Sequence, residues 1–375
     1  MNKISGNYSS AESLKSFNDY AMYELLCKPF DYSLLNSGIQ ELYSTPQYMG
    51  YELLKAFCKG SYKKELLKEC VIEYVYDSNF QAFACYDHDK HYIAISAAIP
   101  ALLQALFQNI LSFTNPFAKH YDQAEDYYDP DYIFPISLSS SRYDEYELRE
   151  EIDALILDTM PVEKWQRKMS IKLAEIAMVF CVSHEIGHVV RGHPLIYKRR
   201  DKNSLNEGDN KKVTCKWVRQ AWEIQADKTA IAFLYSYVIN TKTNRKRFMH
   251  YLKCKNDYEL LGKIMYSVYF VFLIMSQRLE YINSETFHPS PLVRATYAMA
   301  DMAAIVELKT SQKDGVKIIT DSTDLAEGAW ERLGFNSRSD IKNMDQLGSV
   351  LNDLNRAVSL TERYFSKYQW AKFIK

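Results

Sequence analysis

The run Ser183-His184-Glu185-Ile186-Gly187-His188 places two imidazoles four positions apart, with a carboxylate directly after the first. On a helix, His184 and His188 lie about 40° apart around the axis and one turn apart along it, so both rings reach a single ion. Glu185 sits roughly 100° further round, poorly aimed as a ligand but able to touch a water held by that ion. This is the HExxH arrangement, two zinc ligands and a general base. With 8 His in 375 residues, it arises by chance in roughly one such chain in a hundred. Histidines that merely cap or hydrogen-bond are the competing reading, and that suits an exposed helix. Here Ala174, Ile176, Ala177, Met178, Val179, Phe180, Val182, Ile186, Val189 and Val190 make the helix apolar nearly all round. Polar groups buried there need a partner, and a metal supplies one.

Catalytic zinc takes three protein ligands and leaves one position for water. The metzincin spacing fails, because His193 comes one residue too early and Arg191 stands where its glycine belongs. The next helical stretch offers Trp222-Glu223-Ile224-Gln225-Ala226-Asp227. Glu223 and Asp227 share a face, and the small Ala226 and Ala230 beside it allow close approach to the HExxH helix. Glu223 is then the candidate third ligand, and Asp227 the acceptor that orients a ligand histidine through its other ring nitrogen. An ordinary amphipathic helix with exposed carboxylates has the same spacing.

The elements that must position these groups are mostly helical. Helices are expected at 13–26, 51–68, 163–192, 213–240, 248–280, 292–308 and in the 339–375 tail. The β-branched and aromatic runs at 71–76, 81–86 and 91–96 predict strands, with a hairpin turning at Asp87-His88-Asp89-Lys90. A helix then starts near Ala97, capped by Ser96, with Pro100 in its first turn. Residues 115–151 read as an acidic, tyrosine-rich surface insertion, and 197–212 as a hydrophilic connector. The class expected is α+β, predominantly helical, with a zincin-like helix pair and a small antiparallel sheet around 82–96. The organisation expected is an N-terminal helical extension (1–70), a core domain (71–309) holding the insertion, and a C-terminal helical extension (310–375).

HExxHxxxGH followed after a connector by ExxAD resembles the gluzincin metallopeptidases with an ExxxD third-ligand motif, as in the HtpX-like and minigluzincin groups. The hairpin and following helix upstream are similar to those that precede HExxH there. His288-Pro289-Ser290-Pro291-Leu292-Val293-Arg294 resembles their HPxxxxR segment. These motifs span residues 81 to 294. The resemblance implies zinc held by His184, His188 and Glu223, with Glu185 as general base. It also makes His288 or Arg294 the oxyanion donor, with one of the 29 tyrosines as a rival. A chain of this kind with HEIGH and WExxAD also looks like the phage-exclusion (Lit-type) peptidases, which cleave a host translation factor in infected bacteria.

Composition narrows the class. Apolar residues make up 47%, with 18 Phe and 5 Trp, enough for a large core and against disorder. Lys+Arg 46 against Asp+Glu 47 leaves a net charge of -1, so nothing draws the chain to nucleic acid or anionic lipid. Seven scattered cysteines without a CxxC pair read as reduced core thiols of a cytoplasmic protein. The N-terminal residues carry no apolar run of signal-peptide length. The apolar stretch at 264–275 reads as too short for a bilayer, and that at 93–113 is broken by Pro100 and polar side chains, so no membrane span is expected. A regulated zinc endopeptidase acting on a protein or peptide is the leading expectation. A membrane-associated quality-control protease and a catalytically silent zincin-fold binding protein are the alternatives. Strand 92–96 is expected to pair with an extended substrate. The 115–151 insertion is either a lid opened by a protein or peptide trigger, or a solvated loop.

Overall fold

A computed structural model of the chain describes residues 11–23, 25–60, 70–113, 134–139, 145–161, 163–201, 210–279, 289–309, 314–335 and 344–365. Helices α1 (Ala11–Tyr23) and α2 (Ser37–Gly60) lead into strands β1 (Cys70–Val75), β2 (Ala82–Asp87) and β3 (Lys90–Ser96). Then come α3 (Ala98–Phe113), α4 (Glu145–Asp158), α5 (Lys164–Arg191), α6 (His193–Asp201) and α7 (Asn210–Tyr235), which runs into a π-helical turn (Ser236–Asn240). The described part closes with α8 (Lys242–Tyr251), α9 (Asp257–Leu279), α10 (Pro291–Lys309), α11 (Gly315–Arg332) and α12 (Met344–Phe365). The chain is predominantly helical with one small sheet, as its sequence predicts.

The sheet is mixed, in the order β1-β3-β2, rather than purely antiparallel. The predicted hairpin forms, with β2 antiparallel to β3 and His88 and Asp89 both at positive φ in its turn. That pairing matches the right-handed twist of the strands. β1 instead pairs parallel to β3 on the far side. Two contacts explain the crossing. β3 is buried from His91 to Ser96 and takes the centre. The 76–81 link passes over its end, pinned where the Asp77 carboxylate accepts from Asn79 N at 2.8 Å and Ser96 Oγ donates to the Asp77 carbonyl at 2.6 Å. β3 therefore cannot take a substrate strand, because both its edges are already paired. The outer strand beside the HExxH helix is β2, half-exposed along its length.

α5 is central, with α2, α3, α7, α9 and β2 packed around it, which is why it is apolar on every side. Gly192, at φ 75, ends it in a left-handed C-cap whose N–H bonds back to the last turn. Ser96 caps α3 as expected, accepting from Ala98 N at 3.2 Å. The expected single helix at 248–280 is two helices. Lys253 breaks it at φ 54, and Asn256 starts α9 by accepting from Glu259 N at 2.9 Å. The expected connector at 197–212 is helical at both ends, in α6 and α7, and its 202–209 part lies outside the described residues. The described part of the 115–151 insertion is not a solvated loop. Phe134 and Leu138 are buried, and α4 begins within it and buries Leu148, Ile152 and Ile156. Residues 115–133 and 140–144 of that insertion lie outside the described residues. α11 lies in the 310–375 stretch expected to be helical, though its bounds were not drawn from the sequence, and it packs on α9 and α10.

Among the described residues the larger apolar core runs from Phe30 on the N-terminal side to Leu333 on the C-terminal side, and a smaller one joins Phe17 and Ala21 of α1 to Val71, Val75 and Tyr92 of the sheet. The 264–275 stretch lies in a longer helix than its apolar run suggests. Lys164–Arg191 and Asp257–Gln277 are both long and apolar enough to cross a membrane, but 94% and 78% of their apolar windows are buried inside the fold. That burial is what core helices show.

Candidate metal centre

Gly187 and Ala226 set the distance between α5 and α7. A Cβ on Gly187 would lie 2.9 Å from the Ala226 carbonyl oxygen and 3.0 Å from its Cα, so only glycine permits this approach. The contact is backbone against backbone, and it brings Glu223, one turn before Ala226, up to the two histidines. His184, His188 and Glu223 form a three-residue group whose ligand atoms all lie within 4.8 Å of one another.

The geometry suits a small tetrahedral cation. His184 Nε2 and His188 Nε2 are 3.1 Å apart, and each lies 3.4 Å from an oxygen of Glu223. Nitrogen and oxygen ligands at 2.0–2.1 Å on the corners of a tetrahedron are about 3.3–3.4 Å apart. Two imidazoles and a carboxylate are also a donor set that suits zinc.

Asp227 is fully buried and takes the other face of His184, with Nδ1 donating to Oδ1 at 2.8 Å. This fixes His184 so that Nε2 points at the cluster. Arg294, from the first turn of α10, clamps Asp227 in a fork: Nε donates to Oδ2 and Nη2 to Oδ1, each at 2.7 Å. Its Nη1 reaches Glu223 Oε2 at 3.2 Å. Arg294 Nη2 also lies 3.3 Å from His184 Nδ1, but both are donors and share Asp227 Oδ1. The arginine predicted as an oxyanion donor is thus committed to two carboxylates of the cluster and buried.

The charges follow from this wiring. Burial works against the Asp227 carboxylate, but Arg294 and His184 hold it below the usual range. Burial likewise opposes charge on His184, and Asp227 more than reverses it, raising that ring to about 10. A cation therefore competes with a proton there. His188 has no such carboxylate on its far side, and burial pushes it down to about 3, a neutral ring. Glu185 is buried on the adjoining face, near enough to β2 that its charge helps raise the Cys85 thiol, which burial chiefly pushes up to about 12.

His193, one residue too early for the metzincin spacing, lies behind His188. The two Nδ1 atoms are 3.0 Å apart, and His193 Nε2 is 3.1 Å from Gln225 Oε1. The Trp222 indole stacks on His193 with centroids 5.0 Å apart. Gln225 Nε2 donates to Thr361 Oγ1 of α12 at 2.7 Å. His193 was legible as the last residue of HExxHxxxGH, whereas Gln225 and Thr361 carried no signal. His288 lies outside the described residues. Among the sequence-predicted residues, the fold brings together His184, His188, Glu223, Asp227 and Arg294 in one cluster, with Glu185 beside it. The chain matches no protein-family model, no curated protein and no solved structure.

Proposed function

We propose that this chain is a zinc-dependent endopeptidase whose ion is held by His184, His188 and Glu223. The observation that carries the reading is the convergence of two imidazole nitrogens and a carboxylate at 3.1–3.4 Å, with Glu185 next to the first ligand. A zinc ion there would supply Lewis acidity, bringing a water's pKa toward neutrality and polarising a substrate carbonyl. Glu185 takes the proton from that water and later delivers it to the leaving amine. Asp227 and Arg294 keep His184 and Glu223 aimed, so little reorganisation is needed during the reaction. β2, the outer strand packed on α5 and α6, offers its edge to an extended chain. Buried free thiols at Cys70 and Cys181 suit the reducing cytoplasm, where we place this activity. A phage-defence role is the narrower form of the reading, resting on the Lit-type resemblance alone.

The test compares wild-type protein with Glu185→Gln and Glu223→Ala. Wild type is expected to purify with one zinc per chain and to generate new protein termini in cells. Glu185→Gln should keep the metal and lose cleavage by at least a hundredfold, while Glu223→Ala should lose the metal. Equal cleavage by wild type and Glu185→Gln would remove the mechanism. Unchanged zinc content in Glu223→Ala would remove the ligand assignment.

A further inference from the structure

We infer that α12 sets the tautomer of His188 through a hydrogen-bond chain, Thr361–Gln225–His193, which leaves His188 Nε2 free to bind a cation. The direction of each bond follows from the one before. Thr361 Oγ1 donates to the Val358 carbonyl at 2.8 Å, so it can only accept from Gln225, whose Nε2 lies 2.7 Å away. The Val358 carbonyl, 3.4 Å from the same Nε2, is likewise only an acceptor. The Gln225 amide therefore turns its oxygen toward His193, and His193 Nε2 must carry the hydrogen that spans the 3.1 Å between them. A neutral ring protonated at Nε2 has a lone pair at Nδ1. That lone pair lies 3.0 Å from His188 Nδ1, so His188 carries its hydrogen there. His188 Nε2 is left as a lone pair, directed at His184 Nε2 and Glu223.

His193, Gln225 and Thr361 are thus positioning residues that act through His188, and the stack of Trp222 on His193 holds the middle ring in plane. The two ligand histidines are aimed by different means. His184 donates to a clamped carboxylate on α7, and His188 to a neutral relay that ends on α12. The relay belongs to α12 as much as to the motif helix, since Arg191 also meets α12, with Nη1 3.7 Å from Glu362 Oε1. The effect on metal affinity rests on the zinc reading above, whereas the tautomer does not.

Selective 15N-histidine labelling of the full chain tests the relay without metal. Long-range 15N–1H spectra of metal-free wild type are expected to show His188 protonated at Nδ1 and unprotonated at Nε2. Gln225→Met, similar in size but without an acceptor, should give a mixed or reversed pattern at His188. It should also weaken zinc binding about tenfold to a hundredfold in competition with a chelator. Gln225→Glu restores an acceptor toward His193 and should recover both the wild-type pattern and affinity within about threefold. A His188 protonated at Nε2 in wild type, or a Gln225→Met protein that folds with the wild-type pattern, would overturn the relay. Should Gln225→Met not fold, Thr361→Val gives a weaker form of the comparison, with the glutamine held on α12 only by the Val358 carbonyl at 3.4 Å, and an unchanged His188 pattern there overturns the place of Thr361 in the relay. A wild type with the expected tautomer but no zinc affinity supports the relay and overturns the zinc reading alone.

Discussion

α5 carries two buried polar clusters, less than three turns apart, that solve the same problem in opposite ways. Around Glu175 the donors come from the protein itself. Tyr237 Oη donates to Oε1 at 2.5 Å, Arg247 Nη2 to the same oxygen at 2.7 Å, and Lys172 pairs with Oε2. Every oxygen of that carboxylate meets a cation or a hydroxyl, and the cluster is closed. Around His184 the protein supplies Asp227 and Arg294 on one side, and on the other it aims two imidazole nitrogens and Glu223 at a common point. Bringing lone-pair atoms to 3.1–3.4 Å is unfavourable unless a proton or a cation stands between them. The first cluster is a closed ion-pair network, whereas in the second a proton on His184 or a cation in its place must stand between the converging atoms.

The largest effect expected from this contrast is at Arg294. Arg294→Met takes the guanidinium from Asp227 and Glu223 in a buried site, leaving two carboxylates to one imidazolium, and should lower the unfolding free energy of the metal-free protein by about 3–5 kcal/mol. Arg247→Met removes a half-exposed cation while Lys172 remains beside Glu175, and should cost about 1 kcal/mol. Urea denaturation measures both. Equal losses in the two variants would erase the distinction.

A third carboxylate, half-buried on β1, sharpens the comparison, because among the described residues no cation pairs with it. Glu73 on β1 is held by Gln47 Nε2 at 3.1 Å, and burial pushes its pKa from 4.5 up to about 7, against the opposing Gln47 hydrogen bond. A carboxyl whose folded pKa is raised favours the folded state when protonated. Its contribution is full below pH 4.5 and is lost as pH rises through about 7. Glu73→Gln should match wild type in stability near pH 4 and exceed it by up to about 3 kcal/mol at pH 8. Parallel stability–pH curves for the two proteins would refute the assignment.

How far these clusters could be read from the sequence depends on the range of the contacts. His184 and His188 follow from helical period alone, since the relation is local. Glu223 and Asp227 needed one long-range assumption, close packing of two helices, and the small residues Ala226 and Ala230 carried that signal, while the facing Gly187 was not read from the sequence. The Glu175 cluster gave none, because Tyr237 lies 62 residues away, in a π-helical turn that no period predicts. Gln225 and Thr361 are 136 residues apart, and neither belongs to a recognisable motif. In the sheet, strand content was readable from β-branched runs, but the insertion of β3 between β1 and β2 depends on how the 76–81 link is pinned at Asp77. α11 has a clear apolar face in Ile319, Ala326 and Trp330, yet its scattered polar residues obscured the helical period.

The smallest expected effect lies at Tyr237, and it tests whether the two clusters on α5 are independent. Burial and the adjoining Glu175 carboxylate push the Tyr237 phenol well above its ordinary value, so it remains a donor throughout the accessible pH range. Tyr237→Phe removes one of three donors to Glu175, and Arg247 and Lys172 still balance the charge, so the loss should be about 1 kcal/mol. Sites this far apart without shared partners add nearly independently. The stabilisation produced by zinc, about 2.7 kcal/mol at a hundredfold excess over Kd, should therefore be the same in Tyr237→Phe as in wild type. Denaturation with and without zinc measures both quantities in one series. If Tyr237→Phe also shrinks the zinc increment, α5 transmits strain between the clusters, and the ion-pair network is then part of the metal site's support.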